Sequence, residues 1–150
     1  MSRASCSGRD RCDHLEHVLL KALQPDGWAR PVGYANGVSA SGRVIHVAGQ
    51  IGWNKDAVFE TDDFVEQVRQ SLRNIVTVLA CDNARPEHIV SMTWYFTNKR
   101  DYLGNRSAIG EAYRAIIGRH FPAMTAIEVA ALLEDRAKVE IQAVAVVPGP

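Results

Sequence analysis

The sequence predicts an α+β domain of two layers, with helices on one face of a mixed sheet. Three observations carry that reading. Two segments repeat apolar residues at steps of three and four, the mark of a one-sided helix. Five short runs rich in β-branched and aromatic residues surround them, bounded by turn residues. The order β-β-α-β-α-β-β then leaves each helix one stripe to bury, and a sheet is what buries it.

Residues 1–22 form an N-terminal extension ahead of a single domain over 23–150. The first ten residues, mostly Ser, Arg and Gly, are expected to be disordered. Leu15, Val18, Leu19 and Ala22 have helical spacing and predict a short helix over Asp13–Leu23, ended by Pro25-Asp26-Gly27. Tyr34–Ala40 and Arg43–Gln50 predict a hairpin around Ser41-Gly42. Phe64, Val68, Leu72, Ile75, Val76 and Leu79 make one stripe on a helix over Thr61–Ala80, with Asp63 and Glu66 at capping-box spacing.

After Pro86, Ile89–Thr97 reads as a strand. Tyr102–Gly118 reads as a second helix, with Ile109, Tyr113, Ile116 and Ile117 on one face and Gly118 as its breaker. Ala123–Ala131 and Ala137–Val147 are the last strands. On the final strand Val139, Ile141, Ala143 and Ala145 share one side. The other side runs Glu140, Gln142, Val144, Val146, polar first and apolar later. A sheet covered on one face but partly apolar on both predicts an oligomer.

The 150 residues suit one domain with one core. Seventeen basic residues balance 17 acidic ones, and no basic stripe is visible, so a nucleic-acid partner is not expected. No apolar run approaches the roughly 20 residues of a membrane span, and the polar start lacks an apolar signal core. Three cysteines, Cys6, Cys12 and Cys81, predict free thiols in a reducing cytoplasm rather than a disulfide framework. Cys12, His14 and His17 supply too few ligands for structural zinc, so no metal is expected.

Several ordered blocks resemble the YjgF/Rid family, whose namesake is the imine/enamine deaminase RidA and whose legacy name is endoribonuclease L-PSP. They are "GYANGV" (Gly33–Val38), "VAGQIGW" (Val47–Trp53), "QVRQSLRNIVTVLA" (Gln67–Ala80) and "FPAMTAIEVAALLEDRAKVEIQAVAV" (Phe121–Val146). The resemblance spans about Leu23–Val147. It implies a chorismate-mutase-like fold and a homotrimer with a central barrel and clefts between subunits. It also implies hydrolysis of imines and enamines to ketoacids and ammonia, without metal or cofactor.

Carried over residue by residue, the family's pocket tyrosine falls on Tyr34. Its Ser-Gly-Gln falls on Ala48-Gly49-Gln50, without the hydroxyl. Its pocket asparagine falls on Gly110, three residues before Tyr113. Its Pro-Ala-Arg-Ser falls on Pro122-Ala123-Met124-Thr125, so the arginine that grips the substrate carboxylate is Met124. Its Glu-Ile-Glu falls on Glu140-Ile141-Gln142, so the carboxylate that positions the water is an amide. The candidate ligand-binding residues are therefore Tyr34, Ala48, Gly49, Gly110, Met124 and Gln142, and no catalytic residue is assigned.

These departures bear on chemistry. A glutamate can take a proton from an attacking water, whereas Gln142 can only hydrogen-bond to it. Arginine meets a carboxylate with two charge-assisted bonds, and methionine has no donor. Met124 instead suits a more apolar ligand. Arg30, Arg119, His120, Glu128 and Glu140 are charged alternatives nearby in sequence. Met124 is read as cleft lining over plain core, Gln142 as a satisfied interface amide, Trp53 and Trp94 as packing residues, and His46 as a structural, hydrogen-bonded histidine.

Four functions remain open. The first is a trimer that binds or acts on a small metabolite, with standard 2-imino-acid deamination lost or redirected. The second is an imine or enamine deaminase with an altered substrate. The third is a non-enzymatic interaction module. The last is a ribonuclease, which neutral charge disfavours.

Overall fold

The computed structural model describes residues 20–149. Expectations for residues 1–19, including most of the N-terminal helix and the Cys12/His14/His17 group, lie outside the described residues. Nine helices and strands follow one another among them: β1 (Leu20–Leu23), β2 (Gly37–Ala40), β3 (Arg43–Ile51), α1 (Phe64–Ala80), β4 (Ile89–Phe96), α2 (Lys99–Gly104), α3 (Arg106–Ile116), β5 (Ala123–Glu128) and β6 (Val139–Val147).

The main sheet has the order β3-β6-β4-β5. β6 runs antiparallel to β3 and β4, and β4 runs parallel to β5, so the sheet is mixed. The helices lie on one face. Val68, Leu72, Ile75 and Leu79 of α1 meet Ile89, Met92, Val139, Ile141 and Ala145 of the sheet in one buried cluster. This is the predicted two-layer α+β arrangement, and it follows from the stripe on α1 and the alternation on β4 and β6.

α1 starts where the acidic run predicts. Asp63 accepts a hydrogen bond from the Glu66 N–H at 2.9 Å, satisfying one of the helix's orphan donors. Gln67 is fully buried beside it. Its amide nitrogen donates to the carbonyls of Thr61 and Arg136, and its oxygen accepts from the Lys138 N–H. One side chain thus ties the helix start to the approach of β6.

Three local expectations are corrected. Leu20–Leu23 is a strand paired with β2 rather than the end of a helix, and the boundary at 22/23 falls within it. Helical spacing there yields to backbone pairing with Gly37–Ala40, a tertiary effect that local pattern does not carry. The hairpin across Ser41-Gly42 does not form either, since β2 pairs β1 and β3 pairs β6. Alternation identifies strands without naming their partners. Finally, the helix over Tyr102–Gly118 is two helices. Asn105, with φ −118° and ψ 19°, ends α2 and begins α3.

Candidate functional site

A cavity of about 780 Å³ opens between α3 and the helix face of β4 and β5. That volume suits a small organic ligand. Its aromatic walls are Tyr34, Trp94, Tyr102, Tyr113 and Phe121, and Met124 lies among them.

Local structure places each wall. Gly33, at φ +79°, makes the turn before Tyr34 without the cost a β-carbon would bring. The Ala35 N–H then donates to the Pro122 carbonyl at 2.9 Å, which pins Tyr34 to the start of β5. On β5, Met124 stands opposite Met92, and Ala126 stands opposite Trp94. Met92 and Trp94 are core residues, so Met124 shares the helix face with them. Met124 is half-buried, packing on the core while lining the pocket. Cleft and core, weighed as alternatives, are thus one position.

The rear wall is braced. Tyr113 stacks on Phe121 with ring centroids 5.6 Å apart, and its hydroxyl donates to the His120 carbonyl at 2.6 Å. Burial raises the Tyr113 phenol above its ordinary range. Trp94 is 4% exposed, and its indole N–H is the one buried side-chain polar atom without a partner among the described residues.

The predicted residues separate into two groups. Tyr34, Gly110 and Met124 meet in this pocket. Gln142 stands opposite Thr93, which stands opposite Thr125, on the open face of the sheet. Gln142 is exposed there. Ala48 and Gly49 form a bulge in β3 between Val47, paired with Ala143, and Gln50, paired with Ile141. They flank Gln142 in register. The Glu140 carboxyl lies against Gly49, where any β-carbon would collide with it.

Most of the charged alternatives have structural roles or lie elsewhere. His120 bonds through its ring to the Ile89 carbonyl. Glu128 accepts from the Lys99 N–H at the start of α2. Arg30 and Arg119 are exposed and do not line the pocket. His46 is exposed on the open face rather than held within a packed core. Among the described residues, no group of three His, Cys, Asp or Glu could hold a metal ion.

Both charged residues of the pocket escaped sequence reasoning. Arg106 and Arg114 of α3 line the cavity on either side of Gly110. A β-carbon at Gly110 would lie 3.1 Å from Arg114 Nη1, so the guanidinium folds back over the glycine. The four-residue step from Gly110 to Arg114 was the available signal.

The family model described as Endoribonuclease L-PSP matches residues 28–147. The 2-iminobutanoate/2-iminopropanoate deaminase of Escherichia coli K12 is 32% identical over 116 residues, covering 75% of this chain and 86% of that protein. The RutC family protein UK114 of Drosophila melanogaster is 26% identical over 132 residues, covering 87% and 92%. Among solved structures, the Rid family protein YyfB of Yersinia pestis, of unknown function, superposes with a TM-score of 0.77. It is 29% identical and covers 86% of this chain and 99% of its own.

Proposed function

The chain belongs to the YjgF/RidA family, also described as endoribonuclease L-PSP, and from that premise we propose that it binds or acts on a small metabolite in the pocket beneath α3. Standard 2-imino-acid deamination is lost or redirected in this reading. The observation that carries it is the pocket wall at Met124. Where the resemblance implies an arginine, the strand offers a thioether without a donor. Gln142 supports the same reading, because an amide does not take up the proton of an attacking water as a carboxylate does.

The working form is a homotrimer. The open face carries Val44, 53% exposed, and Ile127, 42% exposed, beside Gln142. A second copy laid on that face would bury them and bring a Gln142 group toward another copy's pocket. No metal or cofactor enters this reading, and the chain is taken to work in the cytoplasm. No described helix is long and apolar enough to cross a membrane.

The test generates 2-iminopropanoate with an amino-acid oxidase and follows pyruvate release. The expected result is turnover far below that of the E. coli relative, with gain of activity in the Met124→Arg, Gln142→Glu double variant. Turnover equal to the relative's in the unaltered chain would overturn the reading. It would favour the second one, an imine deaminase in which Arg106 and Arg114 orient the substrate.

A further inference from the structure

We propose that the pocket is selective for a monocarboxylate carried on an aromatic body, with the Arg114 guanidinium as its anion-binding group. The proposal rests on the reading that this pocket is the ligand site, and it names the ligand class.

The first observation is charge. The chain as a whole is formally neutral, yet among the described residues the pocket is lined by Arg106 and Arg114 and by no Asp or Glu. Neither guanidinium joins an ion pair among the described residues, where the five pairs use other arginines and lysines. Two exposed cations lining one concavity, neither in an ion pair among the described residues, make it attractive to an anion.

The second observation is position. Gly110 leaves room for Arg114, one turn further along α3, to lie back over the helix into the cavity. A larger side chain at 110 would take that space. Gly110 and Met124 thus go together, with the strand position giving up charge and the helix supplying it from the opposite wall. A guanidinium presents a planar fork that fits a carboxylate with two parallel bonds.

The third observation is the body of the site. Tyr34, Trp94, Tyr113, Phe121 and Met124 give it aromatic and thioether surface, which suits a flat ring more than a short aliphatic chain. The pocket's volume of about 780 Å³ leaves room for that ring. Trp94 also brings a buried indole N–H without a partner among the described residues, and an acceptor atom on the ligand would relieve it.

Ligand-observed NMR titration with phenylacetate, neutral phenylacetamide, acetate and inorganic phosphate tests this. Phenylacetate is expected to bind about tenfold more tightly than phenylacetamide, and acetate and phosphate weakly. Arg114→Gln should lower phenylacetate to the phenylacetamide level and leave phenylacetamide unchanged. Gly110→Asn should do the same by displacing the guanidinium, which separates the effect from loss of the arginine's packing. Equal binding of phenylacetate and phenylacetamide overturns the proposal while the pocket reading stands. So does an anion preference that survives Arg114→Gln, or phosphate binding at least as well as phenylacetate. Failure of both aromatic probes overturns the pocket reading as well.

Discussion

Met124 and Gln142, which the family resemblance assigns to one site, lie on opposite faces of the same sheet. Met124 stands in register with Met92 and Ala143 on the helix face, and Gln142 with Thr93 and Thr125 on the open face. One copy of the chain cannot bring the two side chains together. If they serve one site, a second copy supplies one of them. Under the proposed trimer, Val44→Asp on the open face is therefore expected to yield a monomer in light scattering, with an unchanged far-UV spectrum. A trimer that survives the substitution would place the interface elsewhere.

Gly52 and Gln67 are a second close pair. A β-carbon at position 52 would lie 2.5 Å from the Gln67 Cβ and 2.8 Å from its Cα. Gly52→Ala is expected to lower stability by about 1–3 kcal/mol, because the buried helix must shift. Gln67→Leu removes the partners of two carbonyls and one N–H at once, with an expected loss of about 2–4 kcal/mol. Urea denaturation measures both.

Asp63 caps α1 through the Glu66 N–H. Asp63→Ala should cost about 1 kcal/mol, and Asp63→Ser should restore most of it. No change in the urea midpoint for Asp63→Ala would show that other groups satisfy the helix start.

The Tyr113 phenol is raised above its ordinary value of 10.0 by burial. The unfolded chain therefore gives up this proton at a lower pH than the folded chain. Its contribution to stability is full below about pH 10 and declines as pH rises toward the folded value. Titration of absorbance at 295 nm should show one tyrosine silent until the protein unfolds. Tyr113→Phe should remove that slope, and should lower neutral-pH stability by about 1 kcal/mol through the lost bond to the His120 carbonyl. A full complement of tyrosines titrating near pH 10 in folded protein would contradict this.

Much of the fold was legible locally. The stripe on α1, its cap at Asp63, and the alternation on β4 and β6 appear in the structure as read. Leu20–Leu23 and the Ser41-Gly42 connection did not, because strand pairing is chosen between distant segments. The same division runs through the site. Tyr34, Gly110 and Met124 line one pocket, whereas Ala48, Gly49 and Gln142, assigned with them by the resemblance, do not. Arg106 and Arg114 belong to no block and read as surface charge until α3 is laid against β4 and β5.

The family came from the resemblance of its motif blocks, while by itself the sequence determined the two-layer class and the helix face of the sheet. Those follow from residue type and spacing, which act over a few turns or one strand. Tertiary structure alone decided that Met124 and Gln142 face opposite ways in one copy, and that Arg114 reaches over Gly110 into the pocket. The reason is geometric. Sheet register and helix placement arise from long-range packing, and they determine which side chains share a cavity.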